Sequence, residues 1–459
     1  MSVPMLVLFL RSPIYTRIFS PEFFGKYALV NITYTYLSSV TYSWVVNTSS
    51  RYFNKYKKRN QLHIYSSLQT LFISIIILVF IGTAIIWSLF SNDLLFRRLI
   101  LFGSLHFIFQ ETLNYLSLFL RLNKKAKLNN NIRIISALVS FAILLLLTFI
   151  YDLQIDAFYL STIAVNLILI AYCIFRKHFK LNFRFREIPS GHIGRYLKFG
   201  LTTLATNIGI VLIMSSDRYL IKYFGNLSEV GIYNQVYNLA QMIILSMITV
   251  YQTSVNPHLL ELFDKEPANY RKFLPKYIYL ASYLYVLASL LIGLFPKEII
   301  LLLGEEFREG WTIIPYVVVS NLIYGLCYFL LLIHKFQSNF RILITGSLLA
   351  AIINIALNIY AIQHFGYQAA AITTFVAYGT LFIFYYLKSG LSIKDLKPMK
   401  TAFGRLIISV VVIVTVTFIV DNIFEDILYL KIITKLLTLV VGYFSLNGFK
   451  NLKASLVIS

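Results

Sequence analysis

The sequence is poor in charge, and poorest in acid. Only 13% of its 459 residues are charged, and Asp and Glu together number 19; soluble domains carry roughly a quarter charged residues. Its two cysteines, Cys173 and Cys327, lie far apart inside apolar runs. They read as small core residues and exclude a disulfide framework or a thiolate metal cage. No Gly-rich phosphate loop, metal-ligand cluster or nucleophile motif occurs. The ordinary signatures of an enzyme, a metal site or a bound cofactor are therefore missing. No connection between apolar runs is long enough to form an extramembrane domain.

What is present is apolar and aromatic: 58% hydrophobic residues and 16% Phe, Trp and Tyr. One soluble core cannot bury that much surface, whereas a multi-pass membrane protein has no need to. At about 20 residues per span, apolar runs place spans near 25–50, 62–90, 98–120, 132–151, 156–176, 197–221, 228–256, 277–303, 311–334, 342–363, 366–387, 402–421 and 427–447. A short apolar stretch at 1–10 precedes them.

The formal charge is +22, but the basic residues come as short clusters between apolar runs. That pattern fits positive-inside topology and not a nucleic-acid face. Most of the 41 Lys and Arg fall in alternate connections, such as Arg51 to Arg59, Arg121 to Arg133, 176–198, 257–277 and 388–405. The intervening connections are acidic or neutral, with Asp93, Asp152, Asp156, Glu298, Glu305, Glu306, Glu309, Asp421, Glu425 and Asp426. The basic set belongs to the cytoplasm, and the C-terminus with it. Apolar spans direct their own insertion, so no export signal peptide is required.

The longest basic connection, 176–198, divides the chain near its middle, and the opening pattern recurs beyond it. "TRIFSPEFFGKYALVN" (16–31) and "IKYFGNLSEVGIYNQVYN" (221–238) each run from charged to aromatic to turn, then Gly-x-Tyr into a polar-flecked helix. Gly25-x-Tyr27 matches Gly231-x-Tyr233. Repeated halves of six or seven helices are a transporter architecture, with the substrate site between the repeats.

Polar residues then recur at helical spacing. Asn234, Asn238, Gln241, Thr249, Gln252 and Asn256 occupy one face of 228–256. Asn31, Thr35, Ser38, Tyr42 and Ser49 share a face of 25–50, and His106, Gln110, Asn114, Ser117 and Arg121, with Glu111 beside them, follow in 98–120. Singly, such residues are interhelical glue; as whole-helix stripes they suggest a hydrated cavity. The stretch "MSSDRYLIKYFGNLSEVGIYN" (214–234) adds Asp217, Arg218 and Lys222 at the end of an apolar run. A charge at mid-bilayer costs about 2.5–3.5 kcal/mol on insertion scales. It therefore needs a partner, water or an interface.

"PIYTRIFSPEFFGKYA", "SSDRYLIKYFGNLSEVGIYN" and "FGYQAAAITTFVAYG" resemble the marks of Wzx-type oligosaccharide flippases, within the multidrug/oligosaccharidyl-lipid/polysaccharide exporter superfamily. The resemblance extends from Pro13 to about Gly390. It implies an all-α polytopic fold of about fourteen spans, with two pseudo-symmetric six-helix lobes around a central cavity and two additional C-terminal helices. The corresponding boundaries are an N-terminal lobe at 1–176, a cytoplasmic linker at 177–196, a C-terminal lobe at 197–390 and the last two helices at 391–459. Only 1–10 is apolar ahead of Arg11, about half a span. Either the first span is short and includes Arg11, or the chain starts late.

The implied activity is movement of undecaprenyl-diphosphate-linked oligosaccharide from the cytoplasmic to the outer leaflet of the bacterial inner membrane. A proton or sodium gradient would drive it, and glycan polymerase and chain-length proteins are the partners expected. In such a fold Arg17, Arg51 and Arg218 would bind the diphosphate, since a guanidinium matches phosphate oxygens bidentately, with Lys222 assisting. Asn234, Asn238, Gln241 and Gln252 would line the cavity, with Trp44, Tyr233 and Tyr237 for the glycan. Asp217 and Glu111 would couple the ion. The plainer alternatives are that Arg218 and Lys222 snorkel, that Asp217 neutralises a neighbouring cation, and that Glu111 pairs with Arg121 or His106. A lipid II or teichoic-acid precursor flippase shares these electrostatics. A multidrug antiporter of the same superfamily would call for an acidic cavity. A membrane glycosyltransferase or glycan polymerase would need more room than the acidic loop 296–310 has.

Overall fold

The computed structural model describes residues 2–151, 153, 156–176, 182–265, 269–392, 395 and 428–445, with isolated helical positions between 407 and 423. Among these residues the chain forms fifteen α-helices and no strand. The first seven are α1 (Ser2–Tyr15), α2 (Pro21–Thr41), α3 (Ser43–Lys58), α4 (Leu62–Leu89), α5 (Leu94–Leu122), α6 (Ala126–Phe149) and α7 (Asp156–Phe175). After the mid-chain connection come α8 (Ser190–Phe224), α9 (Leu227–Lys265), α10 (Tyr270–Gly293), the single turn α11 (Pro296–Ile299), α12 (Ile314–Phe336), α13 (Phe340–Phe365) and α14 (Ala369–Lys388). The last is α15 (Leu428–Ser445).

Among the described residues seven helices are long and apolar enough to cross a membrane: α4, α6, α7, α10, α12 with the turn before it, α13 and α14. An eighth candidate is α8, which bends by 43° between Gly191–Ala205 and Asn207–Phe224. Large apolar side chains such as Leu78, Ile86, Ile352 and Ile383 are exposed, as suits a surface solvated by lipid. The chain is a multi-pass membrane protein. The long helices α2, α5 and α9 carry polar stripes and fall short of that apolarity, and α3, at 16 residues, is too short by itself. The span expected at 402–421 lies outside the described residues, apart from isolated helical positions.

Three connections close in the same way. Asn60, Lys124 and Ser338 adopt left-handed φ of 55°, 59° and 57°. After α3, the Asn60 N–H donates to Lys57 O at 3.2 Å and the Gln61 N–H to Tyr56 O at 2.9 Å, which is a Schellman cap. Lys124 and Lys125 after α5, and Ser338 and Asn339 after α12, repeat that bonding. The helix order around these caps repeats too. In the first half α4 packs on α5, and α5 and α6 pack on α7; in the second α10 packs on α12, and α12 and α13 pack on α14. The duplication suspected from two Gly-x-Tyr marks thus has a counterpart in cap chemistry and neighbour order.

The chain divides into two compact units, Met1–Tyr15 with Glu22–Tyr219, and Thr16–Pro21 with Leu220–Ser459. The division falls near the end of α8 and not in the 177–196 connection. Local packing explains why most of α8 stays with the first unit. Gly200 leaves room for the Trp44 ring, Tyr196 stacks on Tyr52 and Phe72 with centroids 5.1 and 5.9 Å away, and His192 meets Tyr56.

In the second unit the segment Thr16–Pro21 is held from its own first residue. The Gly304 N–H donates to Thr16 Oγ1 at 3.0 Å, and a Cβ on Gly304 would collide with the Thr16 carbonyl. Gly304→Ala is therefore expected to destabilise the protein by about 1–3 kcal/mol, as overpacking does. The thermal midpoint of the detergent-solubilised chain measures it; an unchanged midpoint would show that this contact yields freely.

Candidate functional site

The charges that end α8 have a partner. Asp217 is fully buried and the Arg218 side chain is 4% exposed. Arg218 Nη1 donates to Asp217 Oδ1 at 2.6 Å and to the Met214 carbonyl at 2.8 Å, and the Arg218 N–H donates to the same carboxylate oxygen at 2.9 Å. One carboxylate thus neutralises the guanidinium, and the turn of helix below takes up another of its donors. Nearby, Tyr219 stacks on Tyr36 with centroids 6.1 Å apart and its hydroxyl hydrogen-bonds Thr33. Lys222, in the last turn of α8, is exposed.

Arg51 is placed otherwise. It is exposed, and its guanidinium lies over the Phe199 ring at 4.2 Å from the centroid. Among the described residues no carboxylate pairs with it. Phe199 and Arg218 stand nineteen positions apart on α8, roughly 25 Å along a bent helix rising about 1.5 Å per residue. The first unit therefore does not bring Arg51 and Arg218 onto one phosphate; it sets them toward opposite ends of α8. Arg17 belongs to the second unit, is exposed, and its Nη2 donates to the Leu301 carbonyl at 3.4 Å.

The α9 stripe is divided between packing and exposure. Gln241 Nε2 donates to Asn321 Oδ1 of α12 at 3.1 Å, and Gln252 Nε2 to the Gly325 carbonyl at 3.4 Å. Both glutamines thus act as glue between α9 and α12. Asn234 is buried, Asn238 exposed. Tyr233 and Tyr237 are buried at 0% and 1% exposure, out of reach of a glycan, because their rings pack on each other 5.6 Å apart. Trp44 likewise packs edge-on against Phe72.

The α5 stripe forms a hydrogen-bonded chain instead. Ser136 donates to Asn166 at 3.0 Å, Asn166 to Gln110 at 2.9 Å, Gln110 to Asn114 at 3.4 Å, and Asn114 to Glu111 at 3.3 Å. Ser38 Oγ then donates to Glu111 Oε1 at 2.6 Å. Glu111 is half-buried and bonded to neutral groups from α2 and α5, not to Arg121 or His106. His106 turns to Thr162, 2.7 Å away.

Arg11, singled out in the sequence at the end of the first apolar stretch, lies within α1, and its Nε is buried without a hydrogen-bond partner among the described residues. Sequence reading missed one buried feature. In the second unit Thr373 Oγ1 donates to Asn358 Oδ1 at 2.5 Å and Asn358 Nδ2 to Asn354 Oδ1 at 3.2 Å. The four-residue spacing of Asn354 and Asn358 was the available signal, hidden among apolar neighbours. No group of three or more His, Cys, Asp or Glu among the described residues is arranged to hold a metal.

A family model described as polysaccharide biosynthesis protein matches residues 2–263. Among solved structures, a lipid II flippase MurJ in an inward closed conformation is similar over 98% of this chain and 97% of its own, with TM-score 0.75 and 13% identity. An inward-facing multidrug resistance MATE family transporter of the MOP superfamily is similar over 86% of this chain and 98% of its own, with TM-score 0.63 and 13% identity. A MOP superfamily transporter from Pyrococcus furiosus, whose binding pocket is described as reversed in polarity, is similar over 85% of this chain and 98% of its own, with TM-score 0.55 and 12% identity. At these identities the likeness concerns the fold, which is that of MurJ and MATE transporters. No curated protein sequence gives a match.

Proposed function

This chain belongs to the polysaccharide biosynthesis protein family, and from that premise we propose that it flips undecaprenyl-diphosphate-linked oligosaccharide repeat units across the bacterial inner membrane for O-antigen, capsule or exopolysaccharide synthesis. The family match, joined to a flippase fold over 98% of the chain, is the observation that carries this reading. It works by alternating access in a chain of fourteen spans, with its C-terminus in the cytoplasm. The electrostatics support an anionic cargo. Arg51 offers an exposed guanidinium with no paired acid among the described residues, whereas the fully buried Asp217 is already taken by Arg218. Because Arg51, on α3, meets α8 at Phe199, nineteen positions before Arg218, the two serve as successive stations for the diphosphate and not as one clamp. The ion that drives the cycle acts on Asp217 or on Glu111, the latter at the end of its hydrogen-bonded chain.

A second reading has its own observation. The TM-score of 0.75 to a lipid II flippase equally suits a cell-wall precursor bearing the same diphosphate lipid. Proteoliposomes separate the two. With an undecaprenyl-diphosphate oligosaccharide loaded in the membrane, the fraction reached by an external glycosidase should rise with protein and an ion gradient. A rise with lipid II alone transfers the assignment to the precursor. No rise above protein-free vesicles with either cargo overturns the flippase reading.

A further inference from the structure

Where α3 ends and α8 begins, the first unit has a shallow, solvent-open hollow. The Schellman cap on Asn60 reverses the chain there and leaves Arg59 on the rim. Lys55, Tyr56 and Arg59 line it from the α3 side, and His192, Arg195 and Tyr196 from the first turns of α8. The floor is rigid: Tyr56 and Tyr196 are 6% and 1% exposed, Tyr196 stacks on Tyr52, and the Tyr56 hydroxyl lies 2.7 Å from His192 Nδ1. Arg195 Nε donates back to the Gly191 carbonyl at 2.9 Å, which fixes the guanidinium stem and leaves its outer nitrogens toward solvent.

Three cations thus face one concavity. Among the described residues no carboxylate pairs with any of them; the salt bridges form elsewhere. Topology alone requires basic residues at this end of the helices. It does not require them to converge on a walled hollow from two helices more than 130 positions apart in sequence, where their mutual repulsion is unfavourable. An anion relieves that repulsion, and the two guanidinium groups match phosphate oxygens.

We propose that this hollow binds a phosphate group, with Arg59 and Arg195 on its oxygens, Lys55 adding charge, and the Tyr56–His192 pair completing the hydrogen bonds. It goes beyond the transport reading, standing at the opposite end of α8 from Asp217 and Arg218 and needing no flipping to be real. The phosphate arrives either on a membrane lipid headgroup or free from solution.

The test uses the full chain in phosphatidylcholine nanodiscs, titrated with inorganic diphosphate by calorimetry. Saturable binding is expected, weakened about tenfold or more in the Arg59→Gln/Arg195→Gln double variant, as for lost hydrogen bonds to a charged group. Tyr56→Phe, which keeps every charge, should weaken it about threefold. Arg133→Gln, an exposed charge on α6, should leave it unchanged. Phosphatidic acid added to the discs that competes with diphosphate in the wild type marks a lipid source; saturable binding without competition marks a free phosphate. Absence of saturable diphosphate binding, or equal affinity in the double variant, overturns the site.

Discussion

Asp217→Asn alone is expected to lower the stability of the solubilised protein by about 3–5 kcal/mol, because it strands a buried guanidinium beside a neutral amide. Arg218→Gln alone should do comparable damage from the other side. The double variant Asp217→Asn/Arg218→Gln removes both charges and should recover most of the loss, since a buried ion pair contributes little net stability relative to its neutral replacement. Thermal midpoints of the four proteins close a double-mutant cycle; a coupling near zero would mean that the 2.6 Å contact carries no energy. Export then decides the function. A double variant that is stable but fails to move glycan assigns a charge of the pair to transport, Arg218 to the cargo or Asp217 to the driving ion. A stable double variant that exports normally leaves the pair as structure alone and removes Arg218 from the diphosphate path.

Much of the fold was legible, because lipid demands long apolar runs and the runs are long. The reading at 62–90 became Leu62–Leu89, and that at 366–387 became Ala369–Lys388. The run at 25–50 was legible as helix, and the helical bonding runs on from α2 into α3: the Tyr42 N–H donates to Ser38 O at 2.7 Å and the Val46 N–H to Tyr42 O at 3.2 Å. What the run did not reveal is that the Tyr42 hydroxyl reaches the Glu111 carbonyl and Ser38 the Glu111 carboxylate, contacts with a distant helix that no local pattern shows. The site was less legible for a similar reason. Stripe spacing tells which residues share a face, not what that face meets: Gln241 and Gln252 each donate to α12, whereas Gln110 and Asn114 extend a chain. The cations of 51–59 and 190–198 were legible as topology and illegible as a hollow, which forms where α8 packs on α3 through Gly200 and Trp44, Tyr52 and Tyr196, and Tyr56 and His192.

Lys435→Met is expected to release α15 from the second unit. Lys435 is 1% exposed; its ammonium donates to the Leu294 carbonyl at 2.8 Å and to Glu298 Oε1 at 3.0 Å, and lies 5.3 Å from the centre of the Phe295 ring. Leu294 caps the C-terminus of α10, where carbonyls lack helical partners and a cation is favoured. Around this point Leu439 of α15 joins Leu290, Leu294 and Phe295, with Ile432 of α15, Val286 and Ile299 packed against them. The Lys435 charge is the polar part of the attachment. The substitution leaves Glu298, 11% exposed, without its cation, at a cost of about 3 kcal/mol. Met fills the same apolar volume, so cavity formation adds little. Amide hydrogen exchange over 428–445 should accelerate about a hundredfold, the rate equivalent of that energy at 1.4 kcal/mol per decade. Adding Glu298→Gln should restore most of the protection, because the stranded carboxylate and not the missing lysine is the larger penalty. Unchanged exchange in Lys435→Met would show that α15 is held by its apolar face alone.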